Sequence, residues 1–140
     1  SPSGGNITLA GGTGIATVGS GSTITFNAVG GGVETTTVTA NTPMAVNNGY
    51  ITNKAGTAAV MTLPATSAVG DFIRISGRGA TSYSIAQNAG QTIRMNGTSS
   101  TTGVGGSVTP TSQYQTIELL CIIANTDWVI IDTTDAVTIV

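Results

Sequence analysis

Histidine is absent from this chain, cysteine occurs once, and only 7% of residues are charged. Each shortage removes a class of function. Without His there is no Ser-His-Asp triad, no imidazole proton shuttle and little prospect of a zinc site. Cys121 alone excludes an intramolecular disulfide and offers no metal-ligand spacing. Four Lys and Arg residues against six Asp and Glu give a net charge of −2. So weak a basic balance cannot neutralise a run of phosphates, which excludes nucleic-acid binding by the usual electrostatic route. Long apolar runs are also missing. The longest stretch, Ile117 to Ala124, contains Glu118 and falls far short of the roughly 20 residues of a spanning helix, so no membrane insertion is expected. No secretion-signal pattern opens the chain, and Ser1-Pro2-Ser3-Gly4-Gly5 reads as the edge of something longer.

What is abundant is β-forming. Ile, Val and Thr supply 52 of the 140 positions, and Gly another 20. Hydrophobic residues make 39%, enough to bury a core, and the net charge is too low for a disordered chain. Apolar residues alternate with polar ones almost throughout, and none recur at the 3.6-residue helical period, so the class is all-β.

Residues 1–32 form one unit. Ile7 and Leu9, then Ile15 and Val18, then Ile24 and Phe26 mark short strands broken by Gly11-Gly12-Thr13-Gly14 and Gly19-Ser20-Gly21. Strands this thin make sense as a shaft in which several copies wrap one axis. Gly30-Gly31-Gly32 reads as a hinge.

Residues 33–140 carry strand signals near 33–40, 44–46, 49–53, 57–63, 71–77, 81–88, 91–95, 104–109, 113–123, 127–132 and 136–140. Their spacing, with Asn-Gly and Gly-rich turns between, predicts a jelly-roll-like β-sandwich. Two strands are apolar on both faces. Ile117, Leu119, Cys121 and Ile123 oppose Leu120 and Ile122; Trp128 and Ile130 oppose Val129 and Ile131. The second face needs a cover, either another copy of the chain or further strands of the same subunit.

Candidate chemistry is sparse. Asp71 with Glu118, or Asp132 with Asp135, could be nominated as a glycosidase pair, but Asp71, Asp127, Asp132 and Asp135 all stand at turn positions that suit Asp. Glu118 shares a face with Leu120 and Ile122 and needs a partner, for which Arg74 is the natural candidate. Cys121 reads as a small core residue, and Asp132-Thr-Thr-Asp135 is too sparse for calcium. No catalytic residue, metal or cofactor is expected. The candidate ligand-binding residues are Arg78 and Tyr83, a ring near the Arg78-Gly79 turn. Trp128 joins them as an aromatic that reads either as core or as a sugar platform. The polar loop from Asn96 to Gly106 is a further place for recognition.

The segments Leu63-Pro64-Ala65-Thr66-Ser67-Ala68-Val69-Gly70-Asp71, Ile85-Ala86-Gln87-Asn88-Ala89-Gly90-Gln91-Thr92-Ile93, Ile117-Glu118-Leu119-Leu120-Cys121 and Asn125-Thr126-Asp127-Trp128 resemble the C-terminal head domain of trimeric bacteriophage tail fibres and related bacterial adhesive fibres. Tyr83 stands two residues before the Ile-Ala-Gln-Asn segment, where that family often has Trp. The front segments Ile7 to Ile15 and Ser22 to Phe26 are similar to Gly-punctuated fibre shafts. The resemblance implies a homotrimer at a virion or cell surface whose tip binds a receptor, often a cell-surface glycan. The alternatives are a monomeric carbohydrate-binding module of a secreted enzyme and a purely structural virion element.

Overall fold

The computed structural model describes residues 15–20, 23–28 and 34–140, with side chains from residue 35 onward. The strand expected around Ile7 and Leu9 and the hinge expected at Gly30-Gly31-Gly32 lie outside the described residues. The chain divides into two compact units, Ser1–Gly32 and Val33–Val140. In the first, β1 (Ile15–Ser20) and β2 (Thr23–Ala28) pair antiparallel, from Ile15 opposite Ala28 to Ser20 opposite Thr23.

The second unit is all-β; among the described residues there is no helix. Its first six strands are β3 (Glu34–Val38), β4 (Thr42–Pro43), β5 (Asn48–Thr52), β6 (Ala59–Thr62), β7 (Phe72–Gly77) and β8 (Tyr83–Ala86). They alternate between two sheets. β3, β5 and β7 pair in parallel in one, and β4, β6 and β8 pair in parallel in the other. Thus Glu34, Asn48 and Ile73 stand side by side, as do Thr42, Met61 and Ile85. Parallel neighbours need a crossover, and here a strand of the opposite sheet provides it.

The remaining strands complete both layers. β9 (Thr92–Met95), β10 (Thr98–Ser99), β12 (Thr116–Ile123) and β13 (Asp127–Thr133) join the larger sheet, while β11 (Ser107–Pro110) and β14 (Val137–Ile139) join the smaller. The orders are β10-β9-β13-β12-β7-β5-β3 and β14-β11-β8-β6-β4. Two layers of strands therefore agree with the expected sandwich, but the pairing does not agree with a jelly roll, whose strands are antiparallel. Period-two alternation locates a strand and its faces. It is silent about which strand lies alongside, so the parallel coil left no mark in it.

One buried cluster joins the sheets. The larger contributes Tyr50, Ile73, Ile75, Ile117, Leu119, Cys121, Trp128 and Ile130, and the smaller contributes Ala59, Met61, Tyr83, Ile85 and Val108. Three glutamines are buried with it: Gln87, Gln91 and Gln115. Each falls in or beside the inward phase of a strand, and each uses its amide to tie down loops. Gln91 accepts from the Asn88 N–H and donates to the carbonyls of Pro64 and Asn125. Gln87 donates to the carbonyls of Gln91, Thr101 and Gly103 and accepts from the Ser100 hydroxyl. Gln115 holds the turns before β12 and after β13 in the same way. A buried amide is tolerated because both its oxygen and its NH2 group find partners.

The outer face of β12 and β13 carries an apolar patch beside the charged Glu118 and Asp127. Ile122, Ile123 and Ile131 are 39%, 54% and 51% exposed, beside half-buried Leu120 and Val129. Ile122 is outward by alternation, whereas Ile123 leaves the inward phase of Leu119 and Cys121 beside a shift in the β12–β13 register between Cys121 and Ile123.

Candidate functional site

The outward side of the larger sheet, at its β3-β5-β7 end, carries a groove of about 430 Å³. Its floor follows the sheet register. Thr35, Gly49 and Arg74 lie in one row, with Ile51 and Ser76 in a neighbouring one. Gly49 brings only backbone to that floor. Two residues from outside the strands complete the lining, Arg78 just after β7 and Tyr114 just before β12.

The charges of the groove are unevenly matched. Arg74 donates through Nε (3.1 Å) and Nη2 (2.7 Å) to Glu118 Oε2, its direct cross-strand neighbour, so the expected ion pair is present. Arg78 is different. Its backbone is fixed, the N–H donating to the Thr52 carbonyl at 2.8 Å and the carbonyl accepting from Gln113 Nε2 at 3.1 Å. Its exposed guanidinium has no hydrogen bond or ion pair among the described residues.

Tyr114 is 70% exposed and sits in the left-handed region at φ 65°. A Tyr there is uncommon and costs roughly 1–2 kcal/mol. Its neighbours on both sides hold it in place, Gln113 by bonding to the Arg78 carbonyl and Gln115 by its buried amide. The result is an open ring and an uncompensated cation on one rigid shelf.

The other sequence candidates lie elsewhere. Tyr83 is fully buried; its hydroxyl donates toward the carbonyls of Ile75 (3.1 Å) and Gln115 (3.4 Å), and burial pushes its phenol well above the ordinary range. The ring lies against Gly77, close in sequence to Arg78 but on the inner face. Trp128 is fully buried too, and its indole N–H has no partner among the described residues. Neither ring is open to a ligand, which corrects both as contact residues. The signal was available: Tyr83 is in phase with Ile85, and Trp128 with Ile130. Tyr114 was missed because its exposure comes from a turn conformation that alternation does not encode.

Asp71 acts at its turn, accepting from Asn47 Nδ2 (2.9 Å) and the Ala68 N–H (2.8 Å), and Asp135 accepts from the Ser112 hydroxyl at 3.2 Å. Much of the 96–106 loop is bonded down, Thr101 to Val140 and Gly103 to Gln91, while Val104 projects at 80% exposure. A second, apolar groove of about 300 Å³ opens between Met95 and Thr98 on one side and Val137 and Ile139 on the other.

No protein-family model matches the chain, and no curated protein is significantly similar to it in sequence.

Proposed function

We propose that this chain is the receptor-binding, adhesive tip of a trimeric fibre displayed on a virion or cell surface, that it binds a cell-surface glycan in the Arg78–Tyr114 groove, and that it performs no catalysis. The observation that carries the reading is the groove itself. A sugar is held by an aromatic face under its C–H bonds and by directional donors at its hydroxyls. Tyr114 offers such a face, and Arg78 and Ser76 stand beside it. The trimer is supported by the apolar patch on the outer face of β12 and β13, where Leu120, Ile122, Val129 and Ile131 follow Glu118 and Asp127 on their strands' solvent side. Such a patch favours a symmetric neighbour. Threefold display would also multiply a weak single-site affinity by about 10² or more when sites engage together.

Two measurements test this. Light scattering behind a sizing column at low micromolar protein should give three times 13.8 kDa, surviving dilution. Retention on immobilised saccharides should then fall when Tyr114 is replaced by Asn, a residue that tolerates positive φ. A monomer that nevertheless binds saccharide would favour a carbohydrate-binding module. A trimer without saccharide binding would favour a structural virion element.

A further inference from the structure

The charge inventory narrows the ligand. Of the four basic residues, Arg74 is paired with Glu118 and Arg94 with Asp127, each at 2.7 Å. Lys54 donates to Asn41 Oδ1 (2.9 Å) and to the Ala58 carbonyl (3.3 Å), bracing a loop of the smaller sheet. Arg78 is the basic residue whose charged group has neither a hydrogen bond nor an ion pair among the described residues. It stands in a groove whose other cation, Arg74, is engaged by Glu118.

We infer that the groove takes an anionic saccharide, with a carboxylate or phosphate on the Arg78 guanidinium and a sugar ring over Tyr114. The inference rests on the glycan reading above and goes one step past it, to the ligand's charge. A guanidinium is planar and presents paired N–H donors that match two oxygens of a carboxylate or phosphate. It is also weakly hydrated for a cation, so it loses little when a ligand displaces its water. The two hydrogen bonds that fix the Arg78 backbone, and the left-handed backbone of Tyr114, anchor both residues before the ligand arrives, which lowers the backbone share of the ordering cost of binding. A neutral sugar would leave the one unanswered cation of the groove with nothing to do. An anionic one completes the pattern already seen at Arg74 and Arg94.

The test uses the whole chain on four immobilised polymers: de-esterified pectin, the same pectin fully methyl-esterified, a phosphomannan, and that mannan after dephosphorylation. Each pair keeps the sugar and removes the charge. The expected result is retention of at least one charged polymer about tenfold stronger than its neutral twin, and which pair responds distinguishes carboxylate from phosphate. Arg78→Gln should erase that tenfold difference without changing the melting temperature, Arg78→Lys should restore part of it, and Tyr114→Asn should weaken charged and neutral polymers alike. Equal retention of charged and neutral twins would overturn the inference and leave the glycan reading standing. So would a charge preference that survives Arg78→Gln. Retention of none of the four would overturn both.

Discussion

Replacing Gln115 with Leu removes one amide and little volume, and the structure says what should follow. Gln115 is 1% exposed. Its Oε1 accepts from the backbone N–H groups of Thr111 (2.8 Å) and Ser112 (3.3 Å). Its Nε2 donates to Thr133 Oγ1 (3.0 Å) and to the carbonyls of Asp135 and Ala136 (2.8 Å each). An amide has two N–H groups, so these five contacts amount to about four full hydrogen bonds. At about 1 kcal/mol net for each, and with the turn groups partly able to recover water, the loss is about 3 kcal/mol. Against a domain stability of roughly 5–15 kcal/mol that is a large share. It corresponds to a fall of about 12 °C or more in Tm for a unit of this size. Urea unfolding followed by the single tryptophan, Trp128, reads it directly, because that ring is wholly buried in the native state. The midpoint should drop with the slope unchanged. Gln115→Glu adds a pH signature. The new carboxyl would be buried with one oxygen facing two carbonyls, and these together outweigh the Thr111 and Ser112 N–H groups on its other oxygen, so its folded pKa lies above the unfolded value of about 4.3. Stability is then greatest below that unfolded value and is lost as pH rises through the folded one, making the variant weaker at neutral pH than in mild acid. A loss below about 1 kcal/mol for Gln115→Leu would refute the idea that this amide holds the two turns together.

Other consequences are as specific. Gly106→Ala would drive a methyl group into the Thr101 carbonyl oxygen and to within 2.7–2.8 Å of the Gln87 amide; it should cost about 1–3 kcal/mol or prevent folding, as a thermal melt would show. The Tyr83 phenol, raised by burial, should stay protonated until the domain unfolds. Its folded pKa exceeds the unfolded value of about 10, so stability holds below that pH and declines above it, and Tyr83→Phe should remove this alkaline decline in a pH series of unfolding curves. Cys121 is buried, with its thiol against Ser67 Oγ and the Ile123 carbonyl at 3.3 Å each, so a thiol reagent should label it only at the rate of opening; rapid labelling of the native protein would contradict that placement.

Much of the fold was legible because period-two alternation reports burial directly. The strand read at 71–77 is Phe72–Gly77, and the one read at 113–123 contains Thr116–Ile123. The inward set Ile117, Leu119 and Cys121 lies where alternation puts it, and the opposite phase correctly brought Glu118 to Arg74. Alternation failed where the information is not local. The parallel partnership of β3, β5 and β7 depends on connections that leave the sheet and return. The tiny β10 has too few residues for a period to register. For the site, nearness in sequence misled: Arg78 and Tyr83 are five positions apart, but Arg78 follows a strand of the larger sheet and is exposed, whereas Tyr83 belongs to the smaller sheet and is buried in the core. The exposure of Arg78 was legible because it stands at a turn and is charged. Tyr114 was passed over because its exposure depends on one left-handed residue.

The strand order of the larger sheet also sets a timetable. β9 touches that sheet only through β13, and β13 reaches β7 only through β12. The hairpin that must slot between β7 and β9 follows both of them in the sequence. While the nascent chain emerges in order, residues up to about 110 can wind the parallel coil, but β9 and β10 have nothing to join. The layer closes when Thr116–Thr133 arrives, and the outer apolar face of β12 and β13 comes into being at that same moment. An apolar surface that exists only once both β12 and β13 are in place is withheld from every shorter nascent chain.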